Sequence, residues 1–291
     1  MKLLRITAEG LPLFKGKLDL DFYAQQRIAE EQKESLYRLF SNVYLNPSTG
    51  IIGINASGKT SVLKVVLLAL EIINNEPINH IETRDILGNA KKVVLNVYFY
   101  SEKTNDICRL ETVIASRQGR SEQKNYSIIS ESLWEKSADE VNTRKAMLDF
   151  SRKNPIVNRD DREEFLSDDV SILIARNKKT KEHIRIVNLL KYTDQNILPF
   201  SEDIPESVIT FLDPTVEWLH FDKNESKPLV RLKFRGEDEI LLNNQAELNR
   251  YLSSGTIKGM ITFTLAQEVL RDGGYLVVDE IENHFNNEIV S

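Results

Sequence analysis

Gly53-Ile54-Asn55-Ala56-Ser57-Gly58-Lys59-Thr60 is the stretch on which the reading of this chain turns. Its spacing is G-x-x-x-x-G-K-[ST], and that pattern has meaning only between a strand and a helix. Before it, Ser48-Thr49-Gly50 leads into Ile51-Ile52-Gly53, the expected end of a short buried strand. After it, Ser61-Val62-Leu63-Lys64-Val65-Val66-Leu67-Leu68-Ala69-Leu70-Glu71 is almost uniformly apolar, as in a helix buried against a sheet. Gly53 and Gly58 permit backbone angles that side chains forbid, so successive N–H groups can turn inward around a phosphate. The positive end of the following helix dipole faces the same anion. Lys59 is expected to reach phosphate oxygens, and the Thr60 hydroxyl to ligate Mg²⁺.

A second pattern lies near the C-terminus. Gly273-Gly274 supplies a turn, and Tyr275-Leu276-Val277-Val278 is a short unbroken apolar run closed by Asp279-Glu280. Such a run reads as a central parallel strand. Parallel strands present ligands at their carboxyl ends, where these two acids emerge. Asp279 is then placed to hold Mg²⁺ through water, and Glu280 to take a proton from an attacking water. Alone, two acids at a strand end are also an ordinary solvated terminus.

The third segment is Leu252-Ser253-Ser254-Gly255-Thr256, preceding a helical pattern from Ile257 to Leu270. Small residues at a helix start leave N–H groups and a Ser hydroxyl for an anion. Taken by itself the segment reads first as a plain Ser N-cap. Its position, one helix and one turn before the acidic strand, is what makes it informative.

These three segments resemble the ABC-type ATPase heads, in which the signature segment of one subunit closes over nucleotide held by the other. Within that group the chain looks most like the OLD-like and abortive-infection ATPases, with RecF and the SMC heads more distant. The Asn55-Ala56-Ser57 core, the Ser254-Gly255-Thr256 ending of the signature, and Asp279-Glu280-Ile281-Glu282-Asn283 carry the likeness. The strands expected at Lys2-Leu3-Leu4-Arg5-Ile6 and Leu18-Asp19-Leu20-Asp21-Phe22 fit the hairpin that opens such heads. The resemblance covers about the first hundred residues and the last fifty or so. It implies an α/β P-loop NTPase with a mixed sheet and an inserted mainly helical region, binding ATP with Mg²⁺. Gly53, Asn55, Ala56, Ser57, Gly58, Lys59, Thr60, Ser61, Ser253, Ser254 and Gly255 become nucleotide contacts, and Thr60 and Asp279 metal ligands. Glu280 and Lys59 become the catalytic pair. The implied partners are a second copy across an ATP sandwich and an effector, a nuclease or toxin, in antiphage defence. A DNA-repair ATPase, a transporter subunit and a nucleotide-binding scaffold with little turnover are the alternatives.

Two features depart from that pattern. The family follows its Asp-Glu-Ile-Glu-Asn with His, a variable residue and His-Pro, whereas this chain reads His284-Phe285-Asn286-Asn287. The sequence also stops at Ser291, before the helix, strand and switch His of such heads, so the C-terminal part of the head is expected to be missing.

The expected organisation is an N-terminal ATPase lobe over 1–115, a mainly helical region over 116–235, and a completing segment over 236–291. Strands are expected at 93–100, 107–114 and 230–234, breaks at Asn154-Pro155 and Leu198-Pro199, and an amphipathic helix over 182–191. The net charge of −6 argues against a wholly basic nucleic-acid binder. The cluster Arg176-Asn177-Lys178-Lys179-Thr180-Lys181 leaves nucleic acid open as a partner class, against the plainer reading of a solvated loop. Neither Gln123 nor Gln195 makes a good coupling Gln for a transporter subunit. A single Cys108 excludes an internal disulfide framework and reads as a buried strand residue. His183 and His220 lack metal-ligand spacing. No run is long enough to span a bilayer, and a cytoplasmic protein is expected.

Overall fold

A computed structural model describes residues 1–26, 28–117, 124–160, 166–190, 204–222 and 229–281. The fold is mixed α/β, and the chain forms two compact units, 1–184 and 185–291. It passes from one to the other once, between Ile184 and Arg185.

The first unit is built on an antiparallel sheet. Strands β1 (Lys2–Glu9) and β2 (Leu18–Asp21) form the expected opening hairpin, and β3 (Tyr37–Phe40) and β4 (Val43–Leu45) form a second, smaller one. Helix α1 (Lys59–Ile73) follows the glycine-rich loop and buries Val65 through Leu70 with Ile72 and Ile73. Then come β5 (Val93–Ser101), β6 (Asp106–Arg117) and β7 (Asn125–Ser137). After the short helix α2 (Arg144–Leu148), strand β8 (Val157–Asn158) completes a six-stranded sheet in the order β2-β1-β5-β6-β7-β8. Helix α3 (Leu173–Thr180) closes the unit. Alternation explains β5, where Val93, Leu95, Val97 and Phe99 are buried and the residues between them are half-exposed. A separate cluster including Leu4, Tyr23, Val43, Tyr100, Ile107, Met147 and Phe150 packs the second hairpin and α2.

In the second unit β9 (Ile186–Leu189) pairs in parallel with β13 (Tyr275–Val278). Between them lie α4 (Glu206–Leu212), β10 (Val216–Asp222), β11 (Leu229–Phe234), β12 (Ile240–Leu242) and α5 (Ser254–Asp272). Strands β10, β11 and β12 form an antiparallel sheet whose Val216, Leu219, Val230, Leu232 and Leu242 share one core with Ile209 of α4 and Ile257, Met260 and Ile261 of α5. Among the described residues no helix is long and apolar enough to cross a membrane.

Several expectations are corrected. Ile51-Ile52-Gly53 is not a strand: it belongs to no ladder, and Ile52 is 98% exposed. Two isoleucines are too short a run to hold an extended segment without a neighbouring edge. The span 116–235 is not mainly helical, since its described residues hold β7, β8, β9, β10 and all of β11 beside the short helices α2, α3 and α4. In β7 the apolar alternation is broken by Glu131 and Lys136, both buried, which made a strand look like a polar helix. The stretch 182–191 is likewise strand β9 through 186–189 rather than a helix, with Lys191 outside the described residues. A short apolar run does not separate the two periodicities, and Ile184, Ile186 and Val187 are β-branched. Strand β13 is parallel as expected, and among the described residues it pairs with β9 alone. The basic cluster is not a loop: it is the end of α3, with Lys181 as its left-handed C-cap. Gln123, Gln195, the Leu198-Pro199 break, Glu282-Asn283 and 284–287 lie outside the described residues.

Candidate nucleotide site

The glycine-rich loop is set by two left-handed residues. Ala56 has φ 61° and Gly58 φ 93°, and Gly58 is the N-cap of α1. A Cβ at Gly58 would meet nothing within 4 Å, so the demand for glycine there is conformational rather than steric. At Gly53 a Cβ would sit 2.6 Å from Ser57 Oγ. The loop is folded on itself by Ser57 N–H donating to Ile54 O at 3.2 Å. Lys59 Nζ reaches back to donate to Gly53 O at 2.8 Å.

No side chain caps α1. Its first-turn N–H groups lack intrahelical acceptors, and the first internal bond is Val62 N–H to Gly58 O at 3.0 Å. Residues 53–57 and Thr60 are exposed, while Lys59 and Ser61 are half-buried. The first unit therefore presents an open loop of backbone donors, one ammonium and two hydroxyls at the positive end of a buried helix. That donor set fits a phosphate.

The other expected site residues belong to the second unit. Ser253 caps α5: its Oγ accepts from Thr256 N–H at 3.0 Å and lies 2.8 Å from Thr256 Oγ1. The cap reading is thus realised, and Ser253 and Ser254 remain exposed with Gly255 half-buried. At the end of β13, Asp279 Oδ1 accepts from Glu280 N–H at 3.0 Å. Glu280 is exposed and has φ 52°, a left-handed conformation that costs a residue with a Cβ about 1–2 kcal/mol. Backbone strain of this kind clusters at functional sites, because it holds a side chain where a relaxed turn would not. The Gly273-Gly274 turn is also genuine: both have positive φ, and a Cβ at Gly274 would lie 2.6 Å from Arg185 O. The hydroxyl of Thr60 and the carboxylate of Asp279 are hard oxygen donors of the kind Mg²⁺ takes.

The basic cluster has other work. Arg176 Nη1 donates to Glu182 at 2.9 Å and Nε to Glu135 at 2.5 Å, and Asn177 is buried. Lys103 Nζ donates to the Thr180 and Lys181 carbonyls at 3.0 and 2.6 Å, closing the C-terminus of α3. His183 is exposed, and His220 stacks 5.0 Å from Trp218.

Sequence reasoning missed a buried carboxylate in the first unit. Glu131 accepts from Thr112 Oγ1 at 2.8 Å, Ser171 Oγ at 2.9 Å and Ile172 N–H at 2.7 Å, with Arg159 3.8 Å away. Burial holds its carboxyl above the usual range against these donors. It ties the segment before α3 to the sheet, and its only trace in the sequence is the strand-forming run Tyr126-Ser127-Ile128-Ile129 just ahead of it.

No protein-family model and no curated protein matches this chain. Among solved structures, the SMC head domain from Thermotoga maritima aligns over 99% of this chain and 81% of that one, with 13% sequence identity and a TM-score of 0.40. A likeness that shallow bears on neither activity nor partners.

Proposed function

We propose that this chain is an ATP-binding and ATP-hydrolysing switch of the ABC type. In this reading two copies close around the nucleotide and control an effector, a nuclease or toxin, in bacterial antiphage defence. The observation that carries the nucleotide part is the uncapped start of α1 behind Gly58, with Lys59 already folded over the loop. The dimer and the effector rest on the quoted resemblance of the signature and acidic segments.

The chemistry follows from the residues. Lys59 Nζ exchanges its bond to Gly53 O for the β and γ oxygens of the triphosphate, while the backbone amides of Gly58 and Lys59 hold the same group. Magnesium, when bound, neutralises charge on those oxygens, and Thr60 and Asp279 are the residues that would hold it. Glu280 accepts the proton of the attacking water, and its left-handed backbone sets the direction in which its Cβ leaves the chain. Ser253 and Ser254 of the second copy complete the donor set.

Two measurements test this. Steady-state phosphate release should be present in the wild type and absent in Glu280→Gln. The mass of Glu280→Gln in solution should double with ATP and Mg²⁺. Binding without turnover would leave a nucleotide-dependent scaffold, and turnover that rises only with DNA would favour a repair ATPase.

A further inference from the structure

The signature segment and the acidic pair bound one stretch of the second unit. Ser253 opens α5, the Gly273-Gly274 turn reverses the chain, and β13 carries it to Asp279 and Glu280. Where the acids stand therefore depends on how β13 returns from the helix. The turn does not fix that return by itself. Its glycines have φ 79° and 131°, and a Cβ at Gly273 would meet nothing within 4 Å. Residues without a Cβ leave such a joint many alternatives.

Arg185 removes that freedom at three points, all inside the second unit. Its carbonyl accepts from Tyr275 N–H at 2.8 Å, the bond that leads into the β9–β13 ladder. It also lies against Gly274, where an added Cβ would sit 2.6 Å from Arg185 O and 2.9 Å from Arg185 Cβ. Its guanidinium spans the end of α5, Nη2 donating to Glu268 and Nη1 to Asp272 at 3.1 Å. Helix, turn and strand thus meet on one residue.

The two acids are badly placed for α5 itself. They are four residues apart on one face, where like charges repel, and they sit at the negative end of the helix dipole. A cation spanning both answers each penalty. Among the described residues Asp272 is shared with Arg271, at 2.9 and 3.2 Å, whereas Glu268 pairs with Arg185 alone. The three side chains are half-exposed, so the clasp adds little to overall stability. What it supplies is a direction for the chain.

We propose that Arg185 is the positioning residue that sets Asp279 and Glu280 for the reaction, by fixing the return of β13 against α5 across the Gly273-Gly274 turn. The inference rests on the nucleotide-switch reading. Arg185 acts through Glu268, Gly274 and Tyr275, so its loss lowers turnover without weakening the grip on the nucleotide.

The test uses the whole chain in four forms: wild type, Arg185→Met, Glu268→Ala and the double variant. Without nucleotide, backbone hydrogen exchange over 275–278 should quicken about fivefold or more in Arg185→Met, with 93–101 unchanged. Unchanged exchange over 275–278 overturns the proposal whatever the chain binds. With ATP and Mg²⁺, turnover should fall about tenfold or more in Arg185→Met, with Kd for ATP changed by less than about threefold, because the phosphate loop belongs to the first unit. The double variant should match Arg185→Met, since both substitutions break the same clasp. Turnover at the wild-type rate in Arg185→Met, a Kd loss as large as the turnover loss, or losses that multiply in the double variant each overturn the proposal. A wild type that neither binds nor hydrolyses ATP overturns the nucleotide reading itself, and the proposal with it. If Arg185→Met does not fold, Glu268→Ala carries the same measurements, and wild-type exchange and turnover in that variant overturn the proposal.

Discussion

Lys59 Nζ and Gly53 O are 2.8 Å apart, so the ammonium that would meet a phosphate rests on the carbonyl that opens its own loop. The side chain is already aimed across the loop, and binding requires an exchange of acceptors rather than a new rotamer search. Replacing it removes a charged donor. A hydrogen bond to a charged group is worth about 1.5–3 kcal/mol, so Lys59→Ala should weaken ATP binding roughly 10- to 100-fold. Titration calorimetry checks this, and the melting temperature should barely move because Lys59 packs no core.

Glu280 offers a test that separates strain from chemistry. Its φ of 52° is one that glycine adopts freely. Glu280→Gly should therefore match or exceed the wild type in stability, by up to about 1 kcal/mol. Glu280→Gln keeps the strain. Both should lose turnover by about 10²–10⁴-fold if the carboxylate is the general base. A Gly variant that melts well below the wild type would show that the carboxylate holds the strand end together.

Ser253 has a cap role that is plain in the structure and a ligand role that is proposed. Alanine at an N-cap costs about 1 kcal/mol, whereas glycine costs only a few tenths. Ser253→Gly should thus leave α5 folded while removing the hydroxyl. The expected outcome is a thermal melt close to that of the wild type and loss of the ATP-dependent dimer. A dimer that survives in the glycine variant confines Ser253 to capping.

Lys136 sets a pH dependence. The residue is only 7% exposed, and its ammonium donates to Ala146 O at 2.5 Å and Asp149 O at 2.8 Å and lies 3.9 Å over the Phe150 ring. Burial nonetheless brings its pKa down to about 8 from 10.5. Between those two values the unfolded chain holds the extra proton, so unfolding takes up protons and stability rises with pH. Measured against Lys136→Met, the wild type should gain stability from pH 8 to pH 10. Below pH 8 the difference should be flat. The wild type should still lead there, since Met strands two carbonyls at about 1–3 kcal/mol.

The sequence displayed its local elements more openly than the way they are joined. The glycine-rich loop, α1, the strands of the opening hairpin, β5, β6, β11, the capped α5 and β13 were legible because each carries a local signature: a turn glycine, a cap or a clean alternation. The burial of Cys108, whose thiol is pushed well above its ordinary range, also follows from its place in an alternating strand. Strand β7 was not legible, because Glu131 and Lys136 are buried charges whose partners lie 41 and 13 residues away in Ile172 and Asp149. Strand β9 needs β13 to define it, and a four-residue apolar run has no periodicity of its own. Ile52 misled for the opposite reason, since it is apolar and exposed.

The pairing of Ile186 with Tyr275 spans 89 residues of chain. On a ribosome, at about 5–20 residues per second, β9 emerges roughly 5–20 s before its partner strand exists. For that interval Ile186 and Val187 have no ladder to enter, and the acids behind β13 cannot be set in place. The first unit, whose strands are all synthesised before β9, can mature during the same wait. Birth order thus gives this chain a finished glycine-rich loop well before the two acids at the end of β13 exist.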